Sequence, residues 1–210
     1  MILYMIRHGE TDWNKTRRLQ GKSDTLLNEF GRHLARETAP ALKEIPFDIA
    51  YTSPLARAKE TASIILGGRD IPIIDEPRLM EIGFGEYEGL CCSKEGWNIP
   101  DPDFQYFFEA PEKYRAPKGG ESFYQFSDRL EEFLEELFSD PGLADKTVLL
   151  STHGAALCGL IRLIKGDPMA QFWGKGVPKN CAVAIAEVKD QKAVLLQERI
   201  TYYRDQVKDW

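Results

Sequence analysis

The chain is poor in the residues on which metal, disulfide and nucleic-acid chemistry depend. Three histidines, His8, His33 and His153, are scattered through 210 residues with no HExxH or paired-cysteine spacing, so neither a zinc site nor any other metal or cofactor is expected. Four cysteines, Cys91, Cys92, Cys158 and Cys181, form no CxxC pair, and the adjacent two are badly placed to bridge one another, which excludes a disulfide scaffold. A net charge of -6 argues against nucleic-acid partners, which need a broad basic face, but leaves room for a small positive pocket. Apolar runs such as 148–150 and 155–157 fall far short of the roughly 18 residues that span a bilayer. No basic segment leads into a long apolar stretch at the start, so the expectation is a cytoplasmic protein without a membrane partner.

A hydrophobic content of 43% supports a sizeable core, and the length suits one domain over residues 1–210. Strand-like and helix-like segments alternate, which predicts a three-layer α/β/α fold with a mostly parallel central sheet. Strands are expected at 2–6, 48–51, 71–74 and 146–152, with a closing hairpin of 182–188 and 193–197 around Asp190. Residues 12–27 read as a polar loop. Asn28 caps a helix that buries Leu34, Ala35, Thr38, Ala39 and Leu42 and ends at Pro46. A second helix starts near Pro54 and closes at Gly67-Gly68, and an apolar one runs over 155–164. Phe123, Phe126, Leu130, Phe133, Leu134 and Leu137 share one face of a further helix whose other face is glutamate-rich and solvent-exposed. His33 belongs to a helix surface.

The alternation fails over about 88–118, which is rich in proline and aromatics: Trp97, Phe104, Tyr106, Phe107, Phe108, Tyr114. This helical and aromatic insertion is either a cap over the ligand crevice or a satellite packing cluster. The crevice itself is announced at the other end of the chain. The apolar run 2–6 stops at Arg7-His8-Gly9-Glu10-Thr11, and 146–152 stops at His153-Gly154. Both histidines thus fall at strand carboxyl ends, where open α/β sheets bind ligands.

Four segments combine there: Arg7-His8-Gly9-Glu10-Thr11; residues 53–61 with Arg57; Leu79-Met80-Glu81 with 84–89; and Ser151-Thr152-His153-Gly154. In that order and setting they resemble the histidine phosphatase superfamily, phosphoglycerate mutase branch, from the first residues to the terminal hairpin. The resemblance implies that His8 accepts the phosphoryl group and that Arg7, Arg57 and His153 form the phosphate pocket. It makes Glu81 the general acid, with Asn14, Gln20, Gly21 and Gly154 lining the pocket. The chemistry is coherent in itself. A histidine nucleophile splits one phosphoryl displacement into two steps, neighbouring cations keep it unprotonated, and arginine forks suit the transferring phosphoryl oxygens.

The expected activity is metal-independent hydrolysis of a small phosphorylated metabolite. A cofactor-dependent phosphoglycerate mutase and a non-catalytic phospho-ligand-binding scaffold are the alternatives. The insertion lacks the paired arginines of mutases, offering separated Lys94, Lys113, Arg115 and Lys118. Substrate identity and oligomeric state stay open, although Trp173, Trp210 and Tyr202-Tyr203 are candidates for an interface or for core packing.

Overall fold

A computed structural model describes residues 1–207; Trp210 lies outside them. Six strands form one sheet in the order β3-β2-β4-β1-β5-β6. The four strands β1 (Ile2–Arg7), β2 (Ile49–Thr52), β3 (Ile73–Asp75) and β4 (Thr147–Thr152) pair in parallel, and β5 (Val183–Lys189) and β6 (Lys192–Ile200) add an antiparallel edge. The sheet is therefore mixed, parallel where the crevice lies. The hairpin turns at Asp190 and Gln191, both at positive φ (48° and 60°), the geometry that matches strand twist.

Side chains alternate between two cores along each strand. Leu3, Met5, Val148 and Leu150 face the larger cluster with α5 (Phe123–Ser139) and α6 (Gly154–Lys165), whereas Ile6, Leu149 and Val183 face α2 (Glu29–Leu42) and α3 (Ala56–Leu66). This is the three-layer arrangement that the alternation predicts. Phe123, Phe126 and Leu130 on α5 are fully buried, each contributing about 1.5–3 kcal/mol of apolar burial.

Four local boundaries differ from expectation. The loop at 12–27 opens with a one-turn helix, α1 (Asp12–Lys15), held by reciprocal capping between Thr11 and Asn14. A single turn is too short to leave a periodicity. Helix α2 stops at Leu42 rather than Pro46, because Arg69 reaches across to take the carbonyls of Leu42, Lys43 and Ile45. Helix α3 starts at Ala56 rather than Pro54, and Asp24 supplies its missing cap by accepting from the Ala56 amide at 2.7 Å. Strand β3 is displaced to Ile73–Asp75 because Pro72 cannot donate; its carbonyl accepts from Ala50 and pairing begins one residue later.

The aromatic insertion folds as short turns around α4 (Tyr106–Glu109). Phe104, Phe107 and Tyr114 are buried within the larger core cluster, next to Phe123 and Trp173. Trp173 donates its indole N–H to the Phe107 carbonyl at 2.7 Å, and Tyr203 is buried as well. Most of these aromatics therefore pack, Trp97 and Phe108 staying exposed, and Phe107, Phe108 and Trp173 also wall the cavity over the sheet. No helix among the described residues is long and apolar enough to cross a membrane.

Candidate active site

Strand order builds the site. Because β4 is inserted between β1 and β2, with Arg7 opposite Thr152 and Ser151 opposite Thr52, three strands end side by side. Their next residues are His8, His153 and Ser53. The His8 amide donates to the Thr152 carbonyl (2.9 Å), and the Ser53 amide to that of Ser151 (3.0 Å). The two imidazole centroids lie 5.2 Å apart.

His8 has a defined tautomer. Its Nδ1 lies 2.6 Å from the Gly9 carbonyl, which can only accept, so Nδ1 carries the proton and Nε2 keeps its lone pair. Burial, then the charges of Arg57 and Arg7, hold this histidine well below the usual imidazole range. It is a neutral base inside a cationic pocket. His153 follows the same electrostatics, with burial leading and Arg57 next. Its Nε2 sits 2.7 Å from Ser53 Oγ, while its buried Nδ1 has no hydrogen-bond partner among the described residues. Ser53 Oγ also accepts from the Leu55 amide at 3.4 Å.

Two buried guanidiniums face these rings. Arg57, with no exposed surface, donates Nη1 to the Ser23 carbonyl (2.7 Å) and Nη2 to that of Gly21 (2.8 Å), and its Nε is left unpartnered. Arg7 donates to the Pro178 carbonyl at 2.5 Å. Burial pulls both down to about 10. Three arginines, Arg7, Arg18 and Arg57, face one carboxylate, Glu81, around the cavity, so the pocket carries excess positive charge that an anion would satisfy.

Glu81 supplies the carboxylate. Oε2 accepts from the Ala155 amide (3.0 Å), and Oε1 from those of Ala156 and Ile82 (both 3.1 Å). It thereby caps α6, whose N-cap residue His153 offers no side-chain cap. A helix N-terminus favours such an anion and equally a phosphate. Asn14 and Gln20 are locked by their oxygens: Asn14 Oδ1 accepts from the Thr11 amide (3.1 Å), and Gln20 Oε1 from the hydroxyls of Thr11 and Thr25 (3.0 and 2.5 Å). Their amide nitrogens are the ends left to donate.

An open cavity is lined by Arg7, His8, Asn14, Gln20, Gly21, Arg57, Glu81 and Gly154, and its outer wall by Arg18, Phe84, Phe107, Phe108 and Trp173. Of the residues singled out from sequence, only His153 stands behind this surface, touching it through His8. His33 lies apart and meets Asp205 at 3.2 Å.

Sequence reading gives several supports no role, although Thr61 and Glu88 lie inside the segments it singles out. Thr61 Oγ1 accepts from the Gly9 amide (3.0 Å), Asn180 donates to the His8 carbonyl (3.0 Å), and Glu88 staples the Lys22 amide and Ser23 hydroxyl. Gly31 is the least visible. A methyl on it would meet the Glu10 carbonyl at 2.1 Å, and one on Gly9 would meet the Gly31 carbonyl at 2.5 Å, so the turn after His8 fits only because both lack side chains. A glycine in the buried stripe of α2 was the available signal.

The fold and this cluster define a class: the chain belongs to the histidine phosphatase superfamily, branch 1, whose family model matches residues 3–201. Among relatives, it is 30% identical over 199 residues to phosphoserine phosphatase 1 of Hydrogenobacter thermophilus, covering 95% of this chain and 92% of that one. It is also 30% identical over 207 residues to a 2,3-bisphosphoglycerate-dependent phosphoglycerate mutase of Parvibaculum lavamentivorans, covering 95% and 96%. The solved structure of Bacillus stearothermophilus YhfR matches with a TM-score of 0.88 at 35% identity, covering 96% of this chain and 98% of that chain.

Proposed function

We propose that the protein is a metal-independent phosphomonoester hydrolase that works through a phosphohistidine. The observation that carries this is His8: neutral, with Nδ1–H spent on Gly9 and Nε2 free, beside two buried guanidiniums. Nε2 attacks phosphorus, the N–P bond forms as the ester P–O bond breaks, and the leaving oxygen takes a proton from the Glu81 carboxyl. Arg7 and Arg57 carry the charge on the phosphoryl oxygens, with His153 packed against His8 behind them. In the second step Glu81 takes a proton from water, whose oxygen displaces Nε2 and releases inorganic phosphate.

Relatives of both kinds, phosphatase and mutase, support the phosphoryl chemistry. The cavity wall favours hydrolysis. Beyond the phosphate end its one cation among the described residues is Arg18 amid aromatics, and Lys94, Lys113, Arg115 and Lys118 do not line it, so a phosphoglycerate carboxylate has little to hold it. His8→Ala should abolish release of phosphate from p-nitrophenyl phosphate and the acid-labile phosphoenzyme, and EDTA should leave the wild-type rate unchanged. A His8→Ala protein with wild-type turnover overturns the mechanism, and rapid isomerisation of a phosphoglycerate would replace hydrolysis by the mutase reading.

A further inference from the structure

The segment that carries Glu81 has one 3₁₀ turn, Pro77–Leu79, and otherwise no regular structure, yet its carbonyls are committed in sequence. Arg129, on α5, donates Nη1 to the carbonyls of Arg78 (2.5 Å) and Met80 (2.9 Å), and Nη2 to that of Glu81 (3.0 Å). Thr152 Oγ1 takes the Leu79 carbonyl between them at 2.7 Å.

The guanidinium is itself held from the other side. Glu121 accepts from Arg129 Nε at 2.9 Å and from Nη2 at 3.0 Å, and its Oε2 also accepts from the Gly83 amide at 2.9 Å. The Glu121 amide donates back to the Gly83 carbonyl. Arg129 lies 4.6 Å over the Phe126 ring, which restricts its rotation. The pair therefore grips the chain on both sides of Glu81, and neither residue lines the cavity. Only a planar fork reaches three carbonyls while meeting a carboxylate edge-on.

We propose that Arg129 and Glu121 are positioning residues for proton transfer: they fix the backbone from which the Glu81 carboxyl reaches the leaving oxygen. This rests on the reading of Glu81 as the acid of the reaction. The consequence is selective, because a misplaced acid harms only substrates whose leaving group needs the proton.

The test compares kcat/KM for β-glycerophosphate, an alkoxide leaving group, with that for p-nitrophenyl phosphate, whose phenolate leaves unaided. Arg129→Ala should lower the first by about a hundredfold, the scale of a displacement near 1 Å, and the second by less than about tenfold. Arg129→Lys, which keeps the charge but not the fork, and Glu121→Gln should shift the ratio in the same direction. The ratio is taken within one preparation, so any unfolded fraction cancels. Glu81→Gln is the reference and should show the largest ratio. Equal losses on both substrates in Arg129→Ala and Arg129→Lys, beside a selective loss in Glu81→Gln, overturn the positioning role alone. If Glu81→Gln shows no selectivity, the acid role of Glu81 falls and the positioning role with it.

Discussion

Replacing Arg57 by methionine should remove activity at only a moderate cost to the fold. The guanidinium has no exposed surface, and burial holds it at about 10, well below an ordinary arginine. At 1.36 kcal/mol per tenfold, that displacement is about 3 kcal/mol against the charged form in the folded state. Against this stand two hydrogen bonds to the carbonyls of Ser23 and Gly21, worth about 1.5–3 kcal/mol each when the donor is charged, and a longer one to the Thr25 hydroxyl at 3.4 Å. The hydrogen bonds exceed the burial cost by at most about 3 kcal/mol, so Tm should fall by less than about 10 °C. Ligand binding should not be spared. Losing one preorganised donor to the phosphoryl oxygens typically costs about 10²–10³ in rate, and a bound anion at a hundred times its Kd stabilises a fold by about 2.7 kcal/mol. Orthovanadate should therefore raise the wild-type Tm by about 5–10 °C and that of Arg57→Met far less. Differential scanning fluorimetry with and without vanadate, beside initial rates, decides the matter. A variant that retains the full vanadate shift, or that loses more than about 5 kcal/mol without ligand, refutes the argument that Arg57 is a destabilised cation kept for an anion.

Other outcomes follow from the same structure. His8 and His153 are both held well below the usual range by burial and then Arg57, so in the folded state they remain neutral where unfolded chains protonate. Stability is present above the unfolded value of about 6.5 and is lost as pH falls below it, with a slope approaching about 2.7 kcal/mol per pH unit for the pair; urea titrations between pH 7 and 5 would measure it, and a pH-independent midpoint would contradict the burial argument. Gly31→Ala places a methyl against the Glu10 carbonyl at 2.1 Å and should cost about 1–3 kcal/mol along with activity; an unchanged Tm would show that the turn after His8 can yield.

Legibility in the sequence followed locality. Strand-end histidines, the apolar face of α5 and the closing hairpin appear as short periodic patterns interrupted by glycine or by charge, so they could be read directly. The helix ends at Leu42 and Ala56 could not, because their caps, Arg69 and Asp24, come from elsewhere in the chain. Arg57 illustrates the same divide within the site. Its place at the start of a helix was readable, but nothing local tells that its fork would be held by the carbonyls of Gly21 and Ser23. Arg129 was passed over altogether, since an arginine on an amphipathic helix looks like any solvated one.

The sequence by itself determined which side chains are candidates for the chemistry and where along the chain they stand, because strand and helix periodicities and the turns that end them are written within a few residues. Tertiary structure alone decided what those side chains became. Inserting β4 between β1 and β2 sets His8 beside His153, the Gly9 carbonyl selects the tautomer, and the amides of α6 receive Glu81. Each depends on groups distant in sequence whose meeting is settled by packing of the whole core, and a buried histidine facing two arginines exists only once that packing is complete.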